Sequence, residues 1–261
     1  MSASPKLYSK FAKYYDRLEN QYRDYALEEK WLGGMLDDHS SKRVIDISCG
    51  TGNHVSGLVR QSAQQGLKRE LVAMDASEEM VRITSAKIRA VGGSPELLRG
   101  DFLNMPFVKG SFDCAICMYW SLAGLNHEQV RQLFYQVHLI LGPSGLFIFD
   151  VENSEGIKEN LLNEPFIDAF FDDENGNSIT RANLSRKIQP DLVDWHAYYL
   201  IERGGVTELF NDNMKLRFYS RADLSKLLSE TGFALLGIYS APFVEYRDHS
   251  PSLYFVSENC G

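Results

Sequence analysis

A glycine turn after an apolar run is the feature of this sequence that most directly indicates chemistry. Gly50 and Gly52 follow the run Val44–Ile47, and the chain then continues in a helical pattern. Because glycine lacks a Cβ atom, its backbone turns sharply and lets a ligand approach closely. The first amide groups of the following helix also lack partners within that helix. The pattern therefore predicts a ligand beyond the carboxyl end of a strand.

An acidic residue at the end of the next apolar run narrows the choice of ligand. Asp75 closes the run Leu71–Met74, and a carboxylate accepts hydrogen bonds from the vicinal hydroxyls of a ribose. A dinucleotide site needs a third glycine three residues after Gly52, where this chain has Val55. The turn and the acid thus favour a ribose-containing ligand and disfavour a pyrophosphate.

The elements that must position these residues alternate along the first two-thirds of the chain. Short apolar runs typical of buried strands are separated by helical patterns, which indicates βαβ units and a parallel sheet. Ser77, Asn126 and Ser220 each have the residue type and setting of a helix N-cap. Asn126 with Gln129 forms a variant of the capping box, and Gly142-Pro143 stops the helix between them.

The alternation of apolar runs and helical patterns is interrupted between about residues 153 and 217. Asn175-Gly176 and Gly204-Gly205 are hairpin turn signals, each placed between stretches with strand-like composition. This section therefore predicts antiparallel strands inserted into the α/β pattern. Two further strands are expected near Ala234–Tyr239 and Ser252–Val256.

Five segments resemble, in order and spacing, the motifs of class I S-adenosylmethionine-dependent methyltransferases. The resemblance extends over about residues 43 to 150. The matching segments are Asp46–Gly52, Asp75, Arg99–Phe102, Phe112–Met118 and Leu141–Leu146. It implies S-adenosyl-L-methionine as the cofactor, and an α/β, Rossmann-like, mostly parallel seven-stranded sheet with helices on both faces. The inserted antiparallel strands would form a lid.

The resemblance also implies roles for residues of the site. Asp75 would hold the ribose hydroxyls, Asp101 the adenine amino group, and Phe102 would flank the ring. Asp46 either supports the loop through backbone hydrogen bonds or lies near the methionine amino group, and both readings stay open. The full set of expected cofactor-binding residues is Tyr15, Tyr25, Asp46, Ser48, Gly50, Thr51, Gly52, Asp75, Ala76, Met80, Asp101, Phe102 and Met118.

A looser resemblance links the chain to a subgroup of N-methyltransferases that act on amino sugars, glycine and sarcosine. It rests on Tyr14–Asp16 and Tyr25, where the first helix of that subgroup closes over the cofactor, and on Phe218–Arg221 after the insertion. An amine nitrogen is the expected acceptor, with oxygen and carbon left open. Tyr119, after the fourth strand, and His127, at a helix start, are the expected catalytic residues.

The expected domains are residues 1–152 as lid helix and cofactor-binding core, 153–218 as substrate lid, and 219–261 as the rest of the core. The expected function is methyl transfer to a small molecule. A non-catalytic module of the same fold, which holds the cofactor or nothing and serves as a partner of another protein, is one alternative. An NAD-dependent oxidoreductase is a weaker one, because Val55 and the absence of a recognisable Tyr-x-x-x-Lys pair speak against it.

The composition of the chain limits the classes of binding partner and the cellular compartment that we expect. The 261 residues carry a net charge of −8, unlike the basic footprint of a nucleic-acid-binding protein. Residues 1–17 lack the apolar core of a signal peptide, and four cysteines without framework spacing fit a reducing compartment. We expect a cytoplasmic protein without nucleic-acid or membrane partners, with a homodimer left open. Cys114 and Cys117 share a strand but face opposite sides, so no metal is expected.

Overall fold

The residues that the structure describes form two sheets and six α-helices. The computed structural model describes residues 5–94, 96–156, 165–172 and 177–261. The strands are β1 (Arg43–Asp46), β2 (Glu70–Asp75), β3 (Glu96–Arg99), β4 (Phe112–Cys117), β5 (Leu141–Glu152), β6 (Phe166–Asp172), β7 (Asn177–Gln189), β8 (Leu192–Arg203), β9 (Val206–Arg217), β10 (Phe233–Ala241), β11 (Val244–Glu245) and β12 (Ser252–Asn259).

The helices lie mainly between the strands of the larger sheet. They are α1 (Tyr15–Glu19), α2 (Tyr25–Asp38), α3 (Asn53–Gln65), α4 (Glu78–Ala90), α5 (His127–Ile140) and α6 (Arg221–Glu230). Short 3-10 turns occur at Lys6–Tyr8, Ala12–Tyr14, Asn20–Tyr22 and Ser121–Gly124. In the part of the chain that the structure describes, no helix has the length and apolar character needed to cross a bilayer.

The larger sheet confirms the mostly parallel, Rossmann-like prediction. Its strands follow the order β11-β10-β12-β5-β4-β1-β2-β3. The strands β1 to β5 pair in parallel, whereas β12 runs antiparallel to both β5 and β10. The sheet has eight strands instead of seven, because Val244–Glu245 adds a short edge strand to β10. Two residues are too few to produce a periodic sequence pattern.

Alternate residues of the strands point to opposite faces of the sheet, and helices cover both faces. On one face Phe147 and Phe149 pack with residues of α5 and α6, such as Leu133 and Leu227. On the other face Ile148 packs with residues of α2 and α3. Each fully buried large apolar side chain stabilises the fold by roughly 1.5–3 kcal/mol relative to exposure. Cys114 and Cys117 belong to opposite faces, as their spacing predicts.

Three helices begin at the N-caps that the sequence predicts. The side chain of Ser77 accepts a hydrogen bond from the amide of Met80, and Ser220 accepts one from Asp223. Asn126 forms the reciprocal capping box with Gln129, with both hydrogen bonds at 2.9 Å. The helix α5 ends at Ile140 as expected, but β5 begins at Leu141, so the Gly142-Pro143 pair lies within the start of that strand.

The second sheet is antiparallel, with the order β6-β7-β8-β9. Gly204 and Gly205, both with positive φ, join β8 to β9 and confirm the predicted turn. The predicted turn at Asn175-Gly176 lies outside the described residues, although β6 and β7 on either side do pair. The N-terminal segment packs on this sheet, where the rings of Phe11 and Phe210 stack with centroids 3.7 Å apart.

Candidate functional site

The loop after β1 has glycine at two positions, and the physical reason for glycine differs between them. Both residues have positive φ, +53° at Gly50 and +81° at Gly52, a conformation that residues with a Cβ rarely adopt. A Cβ on Gly52 would also lie 2.7 Å from a methyl carbon of Thr84, whereas one on Gly50 would meet nothing within 4 Å. Gly52 therefore permits the packing of α3 on α4, and the backbone at Gly50 borders open space.

Asp75 fixes this loop from the end of the neighbouring strand. Its Oδ2 atom accepts a hydrogen bond from the amide of Gly50 at 2.9 Å, and its Oδ1 atom accepts one from Ser77 at 2.8 Å. Burial raises the pKa of Asp75, and these two backbone hydrogen bonds act in the opposite direction. An ionised carboxylate has about four acceptor positions, so about two are left for a ligand.

A cavity of about 290 Å³ lies at the carboxyl ends of the parallel strands, against this loop. We call it the loop cavity. The structure brings twelve of the residues singled out in the sequence to its wall. They are Tyr15, Tyr25, Ser48, Gly50, Thr51, Asp75, Ala76, Met80, Asp101, Phe102, Met118 and Tyr119.

Asp46 and Gly52, two other expected cofactor residues, lie behind this wall. Asp46 is only 2% exposed, and its Oδ1 atom accepts a hydrogen bond from the amide of Ser48 at 3.4 Å. Its Oδ2 atom has no partner among the described residues. Burial raises the pKa of Asp46 to about 6, with the charge of His54 acting in the opposite direction. The expected supporting bond is therefore present, and a second acceptor atom remains for a donor.

His127 does not line the loop cavity, which corrects its expected catalytic place. It starts α5 at the carboxyl edge of the sheet, but its ring lies edge-on against Tyr219, with centroids 5.4 Å apart. It borders a separate hollow with charged residues of α5 and α6, such as Arg131 and Glu230. The position of a helix start relative to the strands does not decide which way its first side chain points.

The N-terminal segment covers the loop cavity and is bonded to the glycine loop. Asp16, on α1, accepts hydrogen bonds from the hydroxyl of Thr51 at 2.5 Å and the ammonium of Lys87 at 2.7 Å. Tyr8 and Tyr15 from the same segment contribute to the cavity wall. These contacts hold the segment against the cavity.

A buried network of charges lies beside the cavity. Arg23 forms ion pairs with Glu28 and Asp150, and its guanidinium lies over the ring of Tyr119, 4.6 Å from the centroid. His54 contacts the second carboxylate oxygen of Glu28 at 2.7 Å. Burial raises the pKa of Glu28, but the hydrogen bond from His54 and the charges of Arg23 and His54 outweigh burial, and the pKa is about 2. Glu28 is therefore ionised at neutral pH.

A second cavity, of about 580 Å³, lies between the antiparallel sheet, the N-terminal segment and the core. We call it the lid cavity. It shares seven wall residues with the loop cavity, four aromatic and three aliphatic: Tyr8, Tyr15, Tyr119, Trp120, Ala123, Met214 and Leu216. The two cavities therefore meet at a common wall of mostly aromatic side chains.

Tyr119 and Trp120 form this shared wall in a strained backbone conformation. Both have positive φ, +63° and +55°, which is uncommon for residues with bulky side chains and is concentrated at functional sites. The hydroxyl of Tyr119 donates a hydrogen bond to Glu19 at 2.6 Å. Burial and the negative charge of Glu19 raise the pKa of Tyr119. Tyr119 is thus a neutral donor with its proton engaged, and in this arrangement it is not a free base.

Sequence reasoning missed the charged residues of the lid cavity. Arg181 on β7 forms ion pairs with Glu19 and Asp168, the latter through two nitrogens at 2.7 and 3.1 Å. Asp212 on β9 accepts hydrogen bonds from two amides of the N-terminal segment at 2.8 and 2.9 Å. Glu152, at the end of β5, also lines the cavity. For Glu152 a signal existed, since Asp150 and Glu152 alternate with apolar residues at the end of a strand.

The residues around the loop cavity fit a ligand that contains adenosine. Gly50 borders open space, and Asp75 keeps about two acceptor positions for hydroxyls. Asp101 and Phe102 stand on the same wall. The chemistry of these groups is that of a site for S-adenosyl-L-methionine.

Comparison with known proteins agrees with this site. Residues 44–145 match a family described as a methyltransferase domain. A protein of Geobacillus sp. (strain WCH70) that is named as a methyltransferase is 27% identical to this chain over 256 residues, which cover 94% of each chain.

Solved structures show the same fold at low sequence identity. An S-adenosylmethionine-dependent methyltransferase from Clostridium acetobutylicum superposes with a TM-score of 0.81 at 22% identity, covering 97% of this chain and 98% of its own. The sugar N-methyltransferase KedS8 from Streptoalloteichus sp. gives 0.78 at 18% identity, covering 100% and 96%.

A further neighbour contains the cofactor. The amino pentose methyltransferase CalS10 from Micromonospora echinaspora, solved with S-adenosylmethionine bound, gives a TM-score of 0.69 at 14% identity, covering 94% of this chain and 96% of its own. Residues 44–145 therefore match a methyltransferase-domain family, and the chain shares the fold of solved S-adenosylmethionine-dependent methyltransferases, including a sugar N-methyltransferase and an amino pentose methyltransferase.

Proposed function

We propose that this protein transfers a methyl group from S-adenosyl-L-methionine to an amine nitrogen of a small, hydroxylated molecule. The observation that carries the proposal is the junction of the two cavities. The loop cavity fits the cofactor, and the lid cavity adjoins it across a wall that contains Tyr119 and Trp120. An acceptor in the lid cavity would thus lie next to the methyl donor.

The wall of the lid cavity supports an acceptor that carries hydroxyl groups. Three buried polar atoms on this wall lack hydrogen-bond partners within the described chain. They are Oδ1 of Asn183, the hydroxyl of Tyr199 and Nε1 of Trp120. A buried polar group without a partner costs about 1–3 kcal/mol, so a ligand that supplies partners would bind favourably. One acceptor and two donor groups match the mixed hydrogen bonding of hydroxyls.

The aromatic and acidic character of the same wall supports an amine. Aromatic faces attract cations, and rings of Tyr22, Trp120 and Trp195 border the cavity together with the carboxylates of Glu19 and Glu152. The likeness to KedS8, named as a sugar N-methyltransferase, points in the same direction. An amino sugar combines the amine and the hydroxyls that these groups would recognise.

In this proposal the chain acts by binding, orientation and exclusion of water. When bound, the cofactor supplies a methyl group on a sulfonium, which needs no covalent nucleophile from the protein. Asp75 would hold the ribose hydroxyls and Asp101 the adenine amino group, and Asp46, behind the cavity wall, would support the glycine loop through the amide of Ser48. The N-terminal segment covers the reacting groups, and such positioning accounts for much of the barrier reduction in transfer reactions.

In this proposal the two sheets have different roles. Residues 1–152 and 219–261 would form the core and its closing helix, and residues 153–218 would form the substrate lid. The strands β7, β8 and β9 of that lid supply wall residues of the lid cavity, for example Asn183, Trp195 and Met214. A change of Asn183 or Trp195, which border the lid cavity and not the loop cavity, would then alter the choice of acceptor and leave the cofactor site intact.

The test is a methyl-transfer assay with matched pairs of acceptors. The pairs are glucosamine with glucose, tyramine with tyrosol, and cyclohexylamine with cyclohexanol. We expect release of S-adenosylhomocysteine and a mono-methylated product from at least one amine, and none from its alcohol. Methylation at oxygen or carbon would contradict the amine assignment. Cofactor binding without any product would favour the alternative of a non-catalytic module.

A further inference from the structure

We propose that Glu152 binds the ammonium group of the acceptor and takes its proton before methyl transfer. This inference rests on the proposed function, because it assigns the proton step of the same reaction. An amine attacks only as the neutral species, and an amine of ordinary basicity enters the site protonated. A group in the lid cavity must therefore accept that proton, and the described wall offers few candidates.

The position of Glu152 follows from the strand that ends with it. Asp150 and Glu152 are two residues apart on β5, so their side chains leave the same face of the sheet. Asp150 is fully engaged, since it pairs with Arg23 and accepts a hydrogen bond from the amide of Trp120 at 3.2 Å. Glu152, one step further toward the carboxyl edge, reaches the lid cavity.

The other carboxylates of the cavity wall are occupied. Glu19 accepts from Tyr119 and pairs with Arg181. Asp212 holds two backbone amides of the N-terminal segment. In contrast, the carboxylate of the half-buried Glu152 has no hydrogen bond or ion pair with any residue that the structure describes. Among the wall acids described, it is the one free to receive a proton.

The surroundings of Glu152 suit a group that exchanges a proton near neutral pH. Burial raises the pKa of Glu152 to about 7, with Asp150 adding to this effect and the charge of Arg23 opposing it. The other titratable or charged groups that border the cavity are Tyr8, Tyr15, Glu19, Tyr22, Tyr119, Arg181, Tyr199 and Asp212. The pKa values of Tyr15, Tyr119 and Tyr199 are raised by burial, so these hydroxyls stay protonated and do not compete.

The proton and electron balance of the step is complete. An N–H bond of the bound ammonium breaks, its electron pair stays on nitrogen, and the proton adds to the carboxylate of Glu152. The nitrogen lone pair then forms the N–C bond, while the C–S electron pair of the donor passes to sulfur. The product is a methylated ammonium and a neutral thioether, and Glu152 returns its proton to solvent when the product leaves.

The test compares Glu152→Gln with Glu155→Gln, an exposed carboxylate three residues later that does not line the cavity. The wild type should show a rise in kcat/KM through about pH 7 that then levels off. Glu152→Gln should lose about 100-fold or more at pH 7, in the range of general-base catalysis. Its rate should instead rise toward the pKa of the amine itself. Glu155→Gln should match the wild type.

A binding measurement gives a readout that does not depend on turnover. At pH 8, calorimetry should show the wild type binding one of the three amine probes at least about tenfold more tightly than its alcohol partner, because an ionised carboxylate meets a cation. In Glu152→Gln this preference should shrink to about twofold, with cofactor affinity and the unfolding midpoint unchanged. Absence of any amine preference in the wild type would overturn the inference.

The two proposals fail in distinguishable ways. Amine methylation with an unchanged pH profile in Glu152→Gln would overturn the role of Glu152 and leave the proposed function standing. Amine binding that depends on Glu152, without a methylated product from any probe, would overturn methyl transfer and leave recognition of the ammonium group. If the wild type shows no binding preference for an amine and forms no methylated product, both proposals are contradicted.

Discussion

Replacement of Asp75 by alanine should separate loop support from cofactor binding. The carboxylate accepts backbone hydrogen bonds from Gly50 and Ser77 and keeps about two acceptor positions for the ribose hydroxyls. A hydrogen bond to a charged group contributes about 1.5–3 kcal/mol. Loss of two at the lower value costs about 3 kcal/mol, which corresponds to an affinity roughly 150-fold weaker.

The matched control for this prediction is Asp113→Ala. Asp113 also accepts two backbone hydrogen bonds, from the amides of Lys42 and Arg43 at 2.8 Å each, but lies at the start of β4, at the opposite end of the sheet. Both variants should lower the free energy of unfolding. Only Asp75→Ala should lower the affinity for S-adenosylhomocysteine in calorimetry.

An analogue of S-adenosylhomocysteine without the two ribose hydroxyls tests the contact itself. The wild type should bind this analogue roughly 150-fold more weakly than the natural ligand, whereas Asp75→Ala should bind both about equally. Equal discrimination by the two proteins would refute the ribose contact, because the loss of affinity would then come from a displaced loop.

Two further predictions concern the supports of the site. The pKa of Glu28 is lowered to about 2 in the folded protein, so its contribution to stability is complete above about pH 4.5 and is lost as the pH falls toward 2. Glu28→Gln should therefore reduce the free energy of unfolding by about 3 kcal/mol at pH 7. Urea titrations should show that this difference from the wild type shrinks below pH 4.5. A difference that stays constant with pH would contradict the ion-pair account. Gly52→Ala and Gly66→Ala each place a side chain at positive φ, which costs about 1–2 kcal/mol. Only Gly52→Ala also meets Thr84, so it should unfold at a lower urea concentration, and equal midpoints would rule out that clash.

The cofactor half of the site could be predicted because its signals are local. The turn at Gly50 and Gly52 and the acid at Asp75 lie within one βαβ unit, where strand ends, tight turns and helix starts follow from short-range rules. The N-caps at Ser77 and Asn126 could be predicted for the same reason, since a cap depends on residues three apart.

The lid cavity and the charge network beside the loop cavity depend on contacts between residues far apart in sequence, which no local pattern encodes. Arg23 meets Asp150 across 127 positions of sequence, and Arg181 meets Glu19 across 162. The hairpin at Gly204-Gly205 predicts two paired strands, but it does not indicate which face they present to the core. His127 is an example, because the sequence indicates its helix start, while its ring packs against Tyr219 and lines neither cavity.

The N-terminal segment has a consequence for the sequence of events in a catalytic cycle. It is bonded at one side to the core, through Asp16 and Thr51, and at the other to the second sheet, through Leu7 and Asp212. Because Tyr8 and Tyr15 of this segment line both cavities, displacement of the segment would open both at once. Under the proposed function, donor and acceptor would then share one exit, and opening of this segment would limit the departure of both products.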